Sequence, residues 1–84
     1  MESEIVIIYA AEYNDSIKVV DYIQKNIPVF VNLESCDDKA AIRIRVFISG
    51  AICALNGGME EITQNCLIIH PESIEVKRYG QKSL

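Results

Sequence analysis

Metal-binding and disulfide patterns are missing from this sequence. It holds three cysteines and one histidine, with no CxxC pair and no paired histidines. Four-ligand zinc geometry therefore has no support. An odd number of cysteines closes no disulfide framework, so reduced thiols in a cytoplasmic protein are the simplest expectation. Clustered Lys and Arg are lacking as well. The net charge is −4, which makes nucleic acid a poor partner. No apolar run approaches the roughly 18–20 residues needed to cross a bilayer. Strand-like sequence begins at Glu4, too early for a targeting segment. Repeats and low-complexity stretches are absent too.

What is there is an ordinary globular composition: half hydrophobic and a quarter charged over 84 residues. That length predicts one domain spanning 1–84, with an ordered core over about 4–78 and a tail at 79–84. A core this small is marginal alone, so association is an expected support. The charge is uneven. Residues 1–40 carry eight acids against three bases, and residues 41–84 carry four against five.

Glu4–Ala10 (EIVIIYA) is a β-branched apolar run, read as a strand buried on both faces. Ala11–Asn14 is a short connection, with Asn14 or Asp15 available as a helix N-cap. Ser16–Asn26 is helix-like, and Ile17, Val20, Ile23 and Ile27 are expected on its inner face. Pro28 bars continuation and introduces a second strand, Val29–Leu33. Two apolar strands joined by a helix predict a parallel βαβ unit. Ser35 with Asp38 resembles a capping box for a second helix running from about Asp37 to Leu55. Met59–Thr63 and Cys66–His70 read as an antiparallel hairpin turning at Gln-Asn. Ser73–Arg78 alternates apolar and polar residues, as an edge strand does. The predicted fold is an α/β two-layer sandwich, a mixed sheet of about five strands with two helices, in the order β-α-β-α-β-β-β. If both helices cover one sheet face, the other must be covered or polar.

The second helix is the unusual element. At about 100° per residue, Ile44, Phe47, Ile48, Ala51 and Leu55 form one stripe. Ile42, Val46, Ser49, Gly50 and Cys53 form another, roughly opposite. The chain's own sheet can cover only one of them. The second is a candidate contact with another protein, and its small residues Ser49 and Gly50 would admit a close backbone. Arg43 and Arg45 flank the stripes. Asn56 and Gly57 both suit the left-handed conformation that ends a helix.

Chemistry is weakly supported. Cys66 and His70 share a parity on one strand, yet nothing around them makes a recognisable nucleophile pair. Cys53 and Cys66 sit in apolar sequence, which lowers thiol reactivity. Asn56-Gly57-Gly58 follows a helix instead of preceding one, so it is a turn and not a phosphate loop. Asp37 and Asp38 are explained by capping and the helix dipole. No cofactor and no metal is expected. A small dimeric ligand-sensing regulatory α/β domain is the alternative function. It would require a polar-lined pocket, for which the sequence offers few convergent groups.

In this order, the strand EIVIIYA, the strand ending Val31-Asn32-Leu33, the segment Arg43-Ile44 continuing to Phe47-Ile48-Ser49-Gly50, Ala54 before the Gly-rich turn, and the apolar strand closing at Pro71 resemble the globular domain of the SepF family. The resemblance covers about Glu4–Val76. It implies an α/β sandwich that dimerises and can polymerise, and a non-enzymatic adaptor that binds the C-terminal tail of the tubulin-like division protein FtsZ. It further implies tail binding by Phe47 and its neighbours Arg43 and Ala51. Self-association is implied for Gly50 and Gly57, alongside the stripe of Ile42, Val46, Ser49 and Cys53. Val46 stands where the family usually has an acid, and Asn56 replaces the first glycine of a usual pair. The family's N-terminal membrane-binding amphipathic helix has no counterpart in this sequence. The expectation is therefore a cytoplasmic chain, placed at the division site through its partner and without direct membrane binding.

Overall fold

A computed structural model describes residues 3–80; positions 81–84 of the expected tail lie outside the described residues. The order is β1 (Val6–Tyr9), α1 (Asp15–Gln24), β2 (Val29–Asn32), α2 (Asp38–Ala54), β3 (Gly58–Thr63) and β4 (Cys66–His70). The strands make one mixed sheet in the order β1-β2-β4-β3. β1 pairs parallel with β2, with Val6 opposite Val29. β4 runs antiparallel to both β2 and β3.

The two-layer α/β architecture and the parallel βαβ start are as the sequence predicts, with four strands in place of about five. The difference is the segment after β4. Pro71 supplies no N–H to a ladder, and the chain turns there, Ile74 N–H donating to the Pro71 carbonyl at 3.1 Å. Ser73 Oγ then meets Asn26 Oδ1 at 3.1 Å. From Ile74 onward the chain crosses the outer sheet face instead of joining its edge. Ile74 and Val76 lie near Phe30, Ile68 and His70 over an apolar hollow of about 220 Å³. The segment is pinned by Arg78, which reaches Glu60 Oε1 at 3.3 Å and the Glu61 carbonyl at 3.0 Å. Alternating residues bury one side equally well against a sheet face or along an edge, so their period does not distinguish the two.

The core lies between the sheet and the helices. Val29, Val31, Leu67 and Ile69 face Ile44, Ile48 and Ile52 of α2 and Val19 and Ile23 of α1, all buried. On α2 the inner stripe is as expected, with Ile52 added at its centre. On α1 the phase differs. The buried residues are Ser16, Val19 and Ile23, while Ile17 is 48% exposed. Ser16 tolerates burial because its hydroxyl donates to the Tyr13 carbonyl at 2.6 Å.

The caps fall at Asn14 and Asp37, both offered by the sequence, and only the Ser35–Asp38 capping box is not formed. Asn14 occupies the N-cap of α1 without a side-chain bond. Asp15 instead organises the turn, accepting from the N–H groups of Ala11 at 2.8 Å and Glu12 at 3.1 Å. Those bonds, with help from Lys18, hold its carboxyl below the ordinary value. At α2 the cap is Asp37, which accepts from Ala40 N–H at 2.8 Å, and not Ser35. Asn26 and Asn56 follow the two helices with φ of 69° and 59°, the left-handed geometry that short amide side chains tolerate.

Candidate functional site: the exposed flank of the second helix

α2 presents two adjoining surfaces. The first is a groove of about 380 Å³ lined by Tyr13, Ile42, Arg43, Val46 and Phe47. Its floor is aromatic. Tyr13 and Phe47 meet edge to face, with ring centroids 5.6 Å apart and planes at 68°, the geometry that aromatic quadrupoles favour. The Arg43 guanidinium lies 4.4 Å from the Tyr13 ring centroid, a cation–π contact that fixes the charge at the rim. Among the described residues Arg43 makes no ion pair, whereas Arg45 bonds Glu61 Oε2 at 2.6 Å and ties α2 to β3. The groove thus offers an apolar floor beside a positioned cation, which suits a peptide carrying an apolar side chain next to a carboxylate.

Of the residues the sequence assigned to partner binding, Arg43 and Phe47 line this groove. Ala51 lies one turn further along α2, half-buried and outside the lining. Tyr13 was missed. It belongs to the β1–α1 connection, and nothing in its local pattern marks it, because its role depends on the packing of α1 against α2.

The second surface is the outer stripe of α2. Ile42 and Val46 are 61% and 67% exposed, and Ser49, Gly50 and Cys53 continue the exposed face. A Cβ added at Gly50 would meet nothing within 4 Å. Gly57 stands apart from this stripe. A Cβ there would lie 2.5 Å from the His70 carbonyl oxygen and 3.1 Å from Ile52 Cγ2. Its N–H donates to the Ile52 carbonyl at 2.9 Å, closing the end of α2. At this position the absent side chain lets β3 leave α2 hard against the end of β4.

The thiols do not form a reactive centre. Cys66 and His70 share the outer sheet face, but four residues along a strand separate them by about 13 Å. The His70 ring is engaged by Glu60 Oε2 at 3.4 Å and the Pro71 carbonyl at 3.3 Å. Cys53 is exposed, contrary to the apolar setting its sequence neighbours suggest, because it lies on the outer stripe. Burial pushes the Cys36 thiol up, helped by Asp15 and Asp37. The hollow behind the C-terminal segment is lined by apolar side chains together with His70. A second one of about 420 Å³, which shares Ile68 and Val76 with it, carries Glu60, Lys77 and Arg78, of which Glu60 and Arg78 pair with each other at 3.3 Å.

A family model described as "Cell division protein SepF" matches residues 5–76. "Cell division protein SepF 1" of Desulforamulus reducens is 35% identical over 72 residues, 86% of this chain and 49% of that protein. "Cell division protein SepF" of Acetivibrio thermocellus is 29% identical over 73 residues, 87% of this chain and 47% of that protein. The chain spans about half the length of these curated relatives. Among solved structures, the SepF-like protein from Archaeoglobus fulgidus superposes with a TM-score of 0.82 at 16% identity, covering 94% of this chain and 98% of that one. The SepF-like protein from Pyrococcus furiosus gives 0.76 at 17%, covering 92% and 96%. At these identities the structural likeness speaks for the fold.

Proposed function

The chain belongs to the SepF family of cell-division proteins, and from that premise we propose that it is a self-associating, non-enzymatic adaptor that binds the C-terminal tail of FtsZ and organises its filaments at the division site. The observation that carries this reading is the Tyr13–Phe47 groove with Arg43 at its rim. An extended tail would seat an apolar side chain against the two rings and a carboxylate against the guanidinium. The outer stripe of Ile42, Val46, Ser49, Gly50 and Cys53 would carry self-association, its small residues letting two helices approach closely.

The test is an anisotropy titration of a fluorescent FtsZ tail peptide with the purified protein. Removing an aromatic anchor from a binding pocket costs on the order of 1.4 kcal/mol or more, so Phe47→Ala should raise Kd about tenfold. A folded Phe47→Ala protein that binds like wild type would refute the groove. For self-association, Gly50→Lys is read by sedimentation. The site is open in the single chain, so loss of assembly by a folded variant would report on the stripe, and unaltered assembly would exclude it.

A further inference from the structure

The chain holds five asparagines, and the residues that follow them differ. Asn14, Asn26, Asn32 and Asn65 precede Asp15, Ile27, Leu33 and Cys66, whose side chains crowd the next main-chain nitrogen. Asn56 alone precedes a glycine. With no Cβ at Gly57, its nitrogen is the least hindered nucleophile beside any asparagine amide of the sequence. Asparagine counts among the thermolabile residues.

The fold sets this pair at the junction of α2 and β3. Asn56 is exposed, with φ of 59°, so water reaches its side chain. The main chain around it is held. Asn56 N–H donates to the Cys53 carbonyl at 3.3 Å, and Gly57 N–H to the Ile52 carbonyl at 2.9 Å. Gly58 opens β3 opposite His70. The Gly57 Cα lies so near the end of β4 that an added Cβ would stand 2.5 Å from the His70 carbonyl oxygen. To attack the Asn56 side chain, the Gly57 nitrogen must shed its proton and swing toward it. Here that proton is donated to Ile52, and the carbon behind the nitrogen is walled by main chain.

We propose that Asn56-Gly57 is a covalent modification site, which deamidates when the α2–β3 junction opens and which the native junction holds shut. The atoms balance with water as the only co-reactant. Gly57 N loses its proton to solvent and bonds to Asn56 Cγ. The Cγ–Nδ2 bond breaks, and ammonia leaves after taking up a proton. The cyclic imide then adds water across one of the bonds from its nitrogen to a carbonyl carbon. Cleavage at Cγ leaves an ordinary aspartyl residue at position 56. Cleavage at the main-chain carbonyl carbon leaves an isoaspartyl link. Nothing is oxidised or reduced.

Neither product restores the junction in full. Both add a carboxylate just beyond the last turn of α2, where the helix dipole favours positive charge. The isoaspartyl link also lengthens the main chain by a methylene, where β3 has no room to move against the end of β4. An aspartyl residue tolerates the left-handed conformation, so the isoaspartyl chain is the more damaged of the pair. Each modified chain then opens more readily than the one it came from, and opening is recorded irreversibly.

The inference rests on the junction alone and is independent of tail binding. The test incubates the wild-type chain at mildly alkaline pH, in buffer and in urea, and maps each asparagine by mass spectrometry of peptides. In urea Asn56 should be the first asparagine modified, giving both aspartyl and isoaspartyl peptides. In buffer its rate should fall about a hundredfold or more, because marginally stable domains are open only on the order of 10⁻³ of the time or less. Exchange of the Gly57 amide, followed by NMR in the same buffer, should be slowed by a similar factor, since one opening frees the same N–H for both reactions. Equal Asn56 rates in buffer and urea would overturn the proposal. So would another asparagine reacting first in urea, or an Asn56 rate in buffer that outruns the opening seen at the Gly57 amide.

Discussion

One substitution made at two glycines should move stability in opposite directions. Gly50 lies inside α2, and a Cβ there meets nothing within 4 Å. Alanine at that position relieves the helix of its most flexible residue and should stabilise by about 1 kcal/mol. Gly57 lies where α2 hands over to β3, and a Cβ there would stand 2.5 Å from the His70 carbonyl oxygen. That atom is main chain at the end of β4 and cannot rotate aside. The start of β3 must move, and overpacking of this kind costs about 1–3 kcal/mol. The two alanine variants should thus differ by about 2–4 kcal/mol. In a domain of this size each kcal/mol shifts Tm by about 4–8 °C. The Gly50→Ala and Gly57→Ala melting points should lie on the order of 10–30 °C apart, one above wild type and one below. Circular dichroism melts at low protein concentration measure this, dilution being needed because Gly50 lies on the outer stripe. A Gly57→Ala protein melting at or above wild type would refute the close-approach argument, and a Gly50→Ala protein melting below wild type would refute the claim that the site is open.

Two further outcomes are expected. Asp15→Ala should cost about 1 kcal/mol at neutral pH, as loss of a helix-start acceptor does. The native carboxyl sits below its ordinary value of 3.8, so its contribution is present above that pH and is lost as pH falls through the lower native value. Denaturant titrations of wild type and variant should therefore converge in acid, and a constant gap from pH 7 to pH 2 would contradict this. Native-state alkylation followed by mass mapping should modify exposed Cys53 well before Cys36, whose thiol is pushed up by burial and donates to the Ala10 carbonyl at 3.1 Å. Equal rates would show that Cys36 is not enclosed.

The strands and the inner stripe of α2 were legible because their periods admit one burial direction. The proline before β2, the Gln64-Asn65 turn and the spacing of Ile44 and Ile48 each point one way. EIVIIYA, in contrast, was legible as a strand but not in its burial: it reads as buried on both faces, and at the sheet edge Ile5, Ile7 and Tyr9 are 74%, 59% and 70% exposed. The phase of α1 was not. Ile17 and Val20 look like core on hydrophobicity alone, and the bond that lets Ser16 take the inner position runs to Tyr13, outside the helix. The edge strand expected over Ser73–Arg78 failed for a related reason, since alternation shows that one side is buried without showing by what. Arg43 and Phe47 could be picked from the sequence only through the family resemblance. Tyr13 could not, because it is brought to them by the packing of two helices.

Ile42 and Val46 border both the groove and the outer stripe of α2. Two binding events that share residues cannot be energetically independent. Whatever factor a groove ligand imposes on helix-to-helix association, association imposes the same factor on the ligand. The sign of that linkage would decide whether a tail peptide recruits chains into an assembly or dissolves it, so a single pair of side chains would make peptide concentration and polymer length functions of each other.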